Sequence, residues 1–289
     1  MDYIIHILIL IGIYAILSIS LNLVASAGII SVAHGALFGL GAYVYAVLGA
    51  TFHLPFSVAL VFSSLATTFT GILLAVPSLR LKGDYLALAT FGFAIIAYDI
   101  FDNLLLFTKG PMGITDIQGP DFPFQVHGKT WYLFLVTAFA VVTYLLARRL
   151  LQSPWGRVIR AISEKESLVT FSGRNTYRYK LVTFAFASFW TGVAGSLYSS
   201  YLSYIHPSNF LPMTSILILC MVVAGGMGSL TGSILGTSIF ICVPEVLRFL
   251  NLPSSVAGNT NELLFGLALI LFMLFKPQGI LGKYLSLNE

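Results

Sequence analysis

Apolar runs of roughly 20 residues recur along this chain between short polar turns, and a bilayer about 30 Å thick is crossed by a helix of that length. In lipid each backbone N–H and C=O must find its partner inside the protein, which an α-helix provides. Charged residues make up 9% of the 289, against about 25% in a soluble domain. The mean hydropathy of +0.91 agrees. The expected fold is therefore all-α: a polytopic membrane protein with about nine transmembrane helices and Gly-interrupted segments, forming a single transmembrane domain over residues 1–289. The expected spans lie near residues 3–24, 31–50, 55–77, 85–107, 131–147, 181–201, 214–224, 230–250 and 263–276. The first is too long for a signal-peptide core and lacks a basic start, so it reads as a span. Cys220 and Cys242 sit in apolar runs and read as small core residues rather than a disulfide.

Charge orients these spans. Eight of the fifteen Lys and Arg residues fall between positions 148 and 180: Arg148, Arg149, Arg157, Arg160, Lys165, Arg174, Arg178 and Lys180. Only Glu164 and Glu166 offset them. A basic segment between two spans faces the cytoplasm. Only Asp2 precedes the first span, which puts the N-terminus outside. Arg80 and Lys82 mark another inner loop. Within residues 148–180, Ser153 and Pro154 have the form of an N-cap followed by a first helical residue, and Gly173 is a natural stop. They predict a short helix lying along the membrane face. On charge alone, a solvated loop binding anionic lipid headgroups fits as well. The net charge of +4 reports topology and not nucleic-acid binding. Residues 108–129, rich in Gly and Pro, form the longest external loop, and 202–213 a second, with His206-Pro207 as a turn.

Little here supports catalysis. His6, His34, His53, His127 and His206 are scattered without metal-ligand spacing. His127-Gly128-Lys129-Thr130 has the form of a phosphate-loop tail, but Pro123 stands where the first Gly is needed, so no ATP site is expected. Asp84 opens the fourth span, either as a helix N-terminal carboxylate or as a gate contact. Few ionisable groups lie deep in any span, which disfavours a proton- or sodium-driven pump and fits a neutral or zwitterionic solute moved by an external energy source. Candidates for its pathway are Asn22, Ser31, His34, Tyr43, Asp84, Tyr198 and Ser199. His34 also reads as a hydrogen-bonded structural residue. Gly35 and Gly39, and again Gly232 and Gly236, put small residues on one helix face, where another helix can approach closely. The two stretches echo each other, as a parallel repeat or by chance.

Five segments carry a family resemblance. SVAHGALFGLGAY at 31–43 is similar to SLGHGAFFGIGAY, RLKGDYLAL at 80–88 to RLRGDYLAI, and SPWGRVIRAISE at 153–164 to SPWGRALRAIRE. MVVAGGMGSLTGSILG at 221–236 and FKPQGILG at 275–282 complete the set. In this order they resemble the LivM-like permease subunits of high-affinity branched-chain amino-acid transporters of the ATP-binding-cassette class. The resemblance implies an integral protein of the bacterial cytoplasmic membrane that forms half of a translocation pathway. It also implies a second related permease, two ATP-binding subunits and an extracytoplasmic amino-acid-binding protein as partners. ATP and Mg would be held by those partners, with no cofactor on this chain. Arg157, Arg160, Glu164, Glu166 and Gly173 would then serve the coupling to the ATPase. Leu168 and Val169 stand where the family places two Ala residues, and Lys109 and Met112 where it places Gly and Asn. Related permeases carry urea or short amides, and a channel or secondary carrier without an ATPase is the other alternative.

Overall fold

The structure, a computed structural model, describes residues 2–81, 83–120, 128–248, 279 and 281. Among these the chain forms α1 (Asp2–Ala25), α2 (His34–Ala50), α3 (Phe56–Ser78), α4 (Asp84–Asn103) and the short α5 (Leu105–Thr108). After the external segment follow α6 (Gly128–Gln152), α7 (Pro154–Phe171), α8 (Thr176–Leu202), α9 (Pro212–Gly225) and α10 (Leu230–Arg248). Two two-residue strands, β1 (Ile114–Thr115) and β2 (Tyr204–Ile205), pair antiparallel. Six segments among the described residues are long and apolar enough to cross a bilayer, and α2 and α10 add two shorter apolar helices. The ninth expected span, the 251–261 loop and Pro123 and His127 lie outside the described residues, as do Lys82, Lys276 and Lys283.

The long α8 is the central packing element, lying against α1, α2 and α3. Lipid tails are as apolar as leucine, so helices associate here by close approach and by hydrogen bonds. Residue choice follows. A Cβ on Gly41 of α2 would stand 2.7 Å from Gly192 Cα, and one on Gly192 would stand 2.8 Å from Ser64 Cα of α3. The Ser63 and Ser196 hydroxyls bond across the α3–α8 seam, and Ser20 Oγ lies 3.1 Å from Thr191 Oγ1 across α1–α8. Each buried hydroxyl also returns a bond to its own helix, as Thr191 does to the Ala187 carbonyl at 2.9 Å. Such pairing meets the requirement that buried polar groups find partners. Facing outward, α3 presents Phe62, Leu65, Phe69 and Leu73, and α6 presents Phe134, Val141, Val142 and Leu145. These stripes are apolar apart from Thr137, whose hydroxyl donates to the Leu133 carbonyl of its own helix at 2.7 Å, and they suit lipid.

The helices alternate in direction. α7 joins the ends of α6 and α8, and the α1–α2 turn meets it: a Cβ on Gly28 would lie 3.1 Å from Ser163 Cα. The end of α3 meets the start of α8 where the Tyr177 hydroxyl donates to the Val76 carbonyl at 3.1 Å. These turns share one face with the basic residues, as the charge pattern requires.

Three boundaries differ from the sequence reading. The second helix starts at His34 and not near 31, because Gly28 at φ +72° turns the chain and Val32 N–H bonds to Thr90 Oγ1 at 3.0 Å. The stretch 148–180 is not one loop. Arg148 and Arg149 lie in α6, and Arg178 and Lys180 in α8, because charge ends the apolar part of a helix without ending the helix. Residues 202–213 are not wholly external: Pro207–Phe210 forms a 3₁₀ turn that dips into the bundle and buries Phe210.

The resulting topology predicts a labelling pattern. In a variant lacking Cys220 and Cys242, Met112→Cys should react with an impermeant maleimide on intact cells. Lys165→Cys should react only after permeabilisation. Both positions are exposed. Labelling at 165 from outside would invert the topology.

Candidate functional site

Two regions combine polarity with exposure or broken helices: the basic face around α7, and the polar and aromatic groups along α2, α4 and α8.

α7 forms where the sequence predicts a helix. Ser153 Oγ accepts the Gly156 N–H at 3.3 Å, and Pro154 takes the first helical position. A Cβ on Gly156 would overlap the Leu151 carbonyl, so the sharp α6–α7 corner needs glycine. Val158, Ile159, Ile162 and Val169 are buried, whereas Arg157, Arg160 and Glu164 are exposed. The helix is therefore amphipathic, with its apolar side on the bundle. It kinks at Lys165 (φ −156°, ψ 91°), which no sequence signal marks. Beyond the kink Glu166 pairs with Lys180 Nζ at 2.7 Å, tying α7 to α8. Leu168 and Phe171 are exposed, and Gly173 takes φ +77° just past the helix end. α8 then starts from Asn175, whose Oδ1 accepts the Arg178 N–H at 3.2 Å. A cleft of about 430 Å³ opens between α6, α7 and the α9–α10 break, lined by Arg148, Arg160, Glu164, Ser26, Ser229 and Thr231 among others.

The α9–α10 break is held by Asn22. Its Nδ2 donates to the Ser229 carbonyl at 2.8 Å and to Ser233 Oγ at 2.5 Å, and its Oδ1 accepts the Gly228 N–H at 2.8 Å. Gly226 (φ +111°) and Gly228 (φ +80°) make the turn that Asn22 grips. Cβ atoms on Gly232 and Gly236 would overlap the Gly225 and Met221 carbonyls, so α9 and α10 touch backbone to backbone. Gly279 packs on Gly226, and the Leu281 N–H bonds to the Gly225 carbonyl at 3.1 Å. Gly35 makes a similar approach to α9, its N–H donating to Ser215 Oγ at 2.9 Å.

The remaining pathway candidates are spread through the fold. Ser31 is buried and its Oγ accepts the Ala33 N–H at 3.3 Å. His34 is buried beside Phe184, with no partner for either ring nitrogen among the described residues. Ser199 is buried and donates to the Ser196 carbonyl at 3.2 Å. Asp84 is exposed in the first turn of α4. Tyr43 and Tyr198 are brought together through Phe210, which neither motif nor spacing singled out. Gly39 lies against the same residue, a Cβ there falling 2.9 Å from Phe210 Cβ.

α4 is the expected fourth span, opened by Asp84 and carrying Asp99, Asp102 and Asn103 towards its far end. It touches the protein along one stripe, Leu86, Thr90, Ala94, Ala97 and Phe101. Its exposed side carries Tyr85, Leu88, Ile96, Asp99 and Asn103, and a Cβ on Gly92 would meet nothing within 4 Å. The exposed stripes of α3 and α6 hold no carboxylate; this one holds Asp99 and, at the inner end, Asp84. A face of that composition suits water or a protein neighbour better than lipid.

A family model described as branched-chain amino acid transport system / permease component matches residues 3–274. The high-affinity branched-chain amino acid transport system permease protein LivM of Escherichia coli is 32% identical over 294 residues, covering 93% of this chain and 68% of that protein. Its namesake in Salmonella typhimurium is 31% identical over the same shares of each chain. The permease protein LivH of Salmonella typhimurium is 29% identical over 151 residues, or 52% of this chain and 46% of LivH. No solved structure matches.

Proposed function

Because the chain belongs to the family of branched-chain amino acid transport system permease components, we propose that it is one permease subunit of an ATP-binding-cassette importer for leucine, isoleucine and valine. It contributes half of the translocation pathway. A second, related permease supplies the other half; partial likeness to LivH as well as LivM supports such a pairing. Two ATP-binding subunits carry ATP and Mg, an extracytoplasmic binding protein delivers the amino acid, and the assembly sits in the bacterial cytoplasmic membrane.

One observation carries this reading: α7 is a capped, ion-paired helix on the basic inner face that leaves Leu168 and Phe171 exposed beside Arg157, Arg160 and Glu164. Exposed apolar side chains ringed by charge mark protein contact surfaces. An ATP-binding subunit docked there acts on α6 and α8 directly, and on the α1–α2 turn through Ser163 and Gly28. Arg157, Arg160, Glu164, Glu166 and Gly173 form the coupling element. The α4 face with Asp84, Gly92 and Asp99 suits the wall shared with the second permease. Tyr43 backs that wall by stacking on Phe101, Asn22 holds the α9–α10 break, and Ser31, His34, Tyr198 and Ser199 are further candidates for the pathway within the bundle. A zwitterion needs dipoles and helix ends, and a branched side chain needs apolar walls. One methylene in an apolar pocket is worth only about 1–3 kcal/mol, so the binding protein does most of the discrimination.

Uptake into proteoliposomes containing the whole complex and its binding protein tests the substrate class. Saturable, ATP-dependent leucine uptake is expected, with valine and isoleucine competing. Uptake of urea without leucine transport or competition would end the amino-acid reading, and uptake without ATP or a partner ATPase would end the importer reading.

A further inference from the structure

On leaving α8 at Ser203 (φ +57°), the chain does not go straight into α9. It first pairs with the outer loop: Ile114 opposite Ile205, and Thr115 opposite Tyr204. It then dives inward through the Pro207–Phe210 turn before α9 starts at Pro212. Phe210 is 1% exposed. Its ring lies 5.3 Å from Phe38, 5.7 Å from Tyr43, 6.3 Å from Phe101 and 6.0 Å from Tyr198, centroid to centroid. One side chain thus bridges α2, α4 and α8 in the outer half of the bundle. Room for it exists because residue 39 is glycine.

The turn that carries Phe210 is fastened to the outer loop by more than the strand pair. His206 Nδ1 accepts the Ser208 N–H at 3.1 Å, which leaves Nε2 to donate to the Pro111 carbonyl at 2.9 Å. Tyr204 Oη donates to the Met112 carbonyl, and Ile117 N–H to the Ser203 carbonyl, both at 3.4 Å. Gly113 takes φ +70°, and a Cβ there would overlap the Ile205 carbonyl, so this crossing needs glycine. Met112, 84% exposed, stands at the tip. Residues 111–117 and 203–210 are therefore fastened into one piece. One end is presented to whatever docks outside; the other is an aromatic ring wedged between three helices.

The wedged arrangement also carries a cost. Tyr43 Oη is buried in this cluster with no partner among the described residues. An unsatisfied buried hydroxyl destabilises this packing, which favours a state in which Phe210 withdraws and Tyr43 gains water or solute. Two packings of similar free energy are what a gate requires.

Resting on the importer reading above, we propose that Phe210 is a plug wedged behind α4 that holds this wall of the translocation route closed at its outer end, and that the β1–β2 pair is the handle by which a protein docked on the outer loop withdraws it. Phe210 positions α4 through Phe101 and Tyr43, and closes the outer end while the handle is at rest.

Whole complexes carrying Phe210→Ala, Phe210→Leu or Gly113→Val test this in proteoliposomes. Phe210→Ala should raise leucine efflux from loaded vesicles, without ATP or binding protein, on the order of tenfold, and should raise basal hydrolysis similarly. Phe210→Leu, which keeps apolar bulk, should restore both to near wild type. Gly113→Val leaves the plug in place and frees the handle, so basal hydrolysis stays low while stimulation by the binding protein is lost. A Phe210→Ala complex with no added efflux, or with unchanged dependence on the binding protein, overturns the proposal. So does equal behaviour of the Ala and Leu variants. If Phe210→Ala fails to assemble, Gly113→Val decides alone, and full stimulation in that variant overturns the handle. Wild-type uptake reports separately on the importer reading, since the efflux arm uses neither ATP nor binding protein.

Discussion

Gly195→Val should leave almost no folded subunit in the membrane, whereas Gly92→Val should leave the yield of folded subunit unchanged. At Gly195 an added Cβ would overlap the Phe38 carbonyl and stand 2.7 Å from Ala42 N. Both are backbone atoms of α2 and cannot rotate away. The helices must separate, and the loss spreads. The same seam holds Gly41 against Gly192 and Gly192 against Ser64, and carries the Ser63–Ser196 and Ser20–Thr191 bonds. Overpacking a core with side chains that can adjust costs about 1–3 kcal/mol. Here the obstacle is backbone, and two interhelical hydroxyl pairs are lost besides, each at about 0.5–1.5 kcal/mol. The total reaches the lower end of the roughly 5–15 kcal/mol that holds a whole domain together. Gly92 meets nothing within its own subunit, so the same substitution there spares the subunit's packing, and the expressed subunit alone is the comparison. Fluorescence-detected size exclusion in mild detergent, on matched expression levels, reads the difference. A monodisperse Gly195→Val peak of wild-type size would sink this account of the α2–α3–α8 crossing.

The spans were legible because lipid allows few solutions: runs of about 20 apolar residues fold as helices, and six segments among the described residues are long and apolar enough to cross a bilayer. The capped helix α7 was legible because Ser153, Pro154 and Gly173 are local signals. What depended on distant partners was not. The Lys165 kink has no local signature, and Val32 leaves the helix because Thr90, fifty-eight residues on, takes its N–H. Asn22 reads as a pathway amide, yet its side chain is taken up by Gly228, Ser229 and Ser233, more than two hundred residues away. Phe210 sits in what reads as an external segment, and only the fold shows that this segment turns inward. The weak echo between 27–39 and 224–236 has a structural counterpart: both stretches turn at the inner face and lead into a helix running outward.

Glu166→Lys should uncouple ATP hydrolysis from transport while leaving the protein folded. Glu166 lies just past the Lys165 kink and pairs with Lys180 of α8. Lys180 is 14% and Glu166 40% exposed, so the pair is partly screened and its loss costs somewhat more than the about 0–1 kcal/mol of a surface pair, yet far less than the packing that holds the bundle. Its position matters more. The pair is the polar tie between the second part of α7 and the start of α8, beside the exposed Leu168 and Phe171. Reversal sets two ammonium groups against each other there, and it also inverts the charge offered to a docked ATP-binding subunit. Transport should fall on the order of tenfold, the scale of a coupling energy of 1–3 kcal/mol, while substrate-independent hydrolysis persists. The charge swap Glu166→Lys with Lys180→Glu separates the two effects, because it rebuilds the pair but not the outward charge. Transport is expected to stay low in the swap, since the docked subunit reads the carboxylate at 166. Full recovery would assign the effect to the α7–α8 tie alone. If charge at this position served only lipid contact, the single variant would transport and hydrolyse ATP at wild-type rates, and that result ends the coupling role.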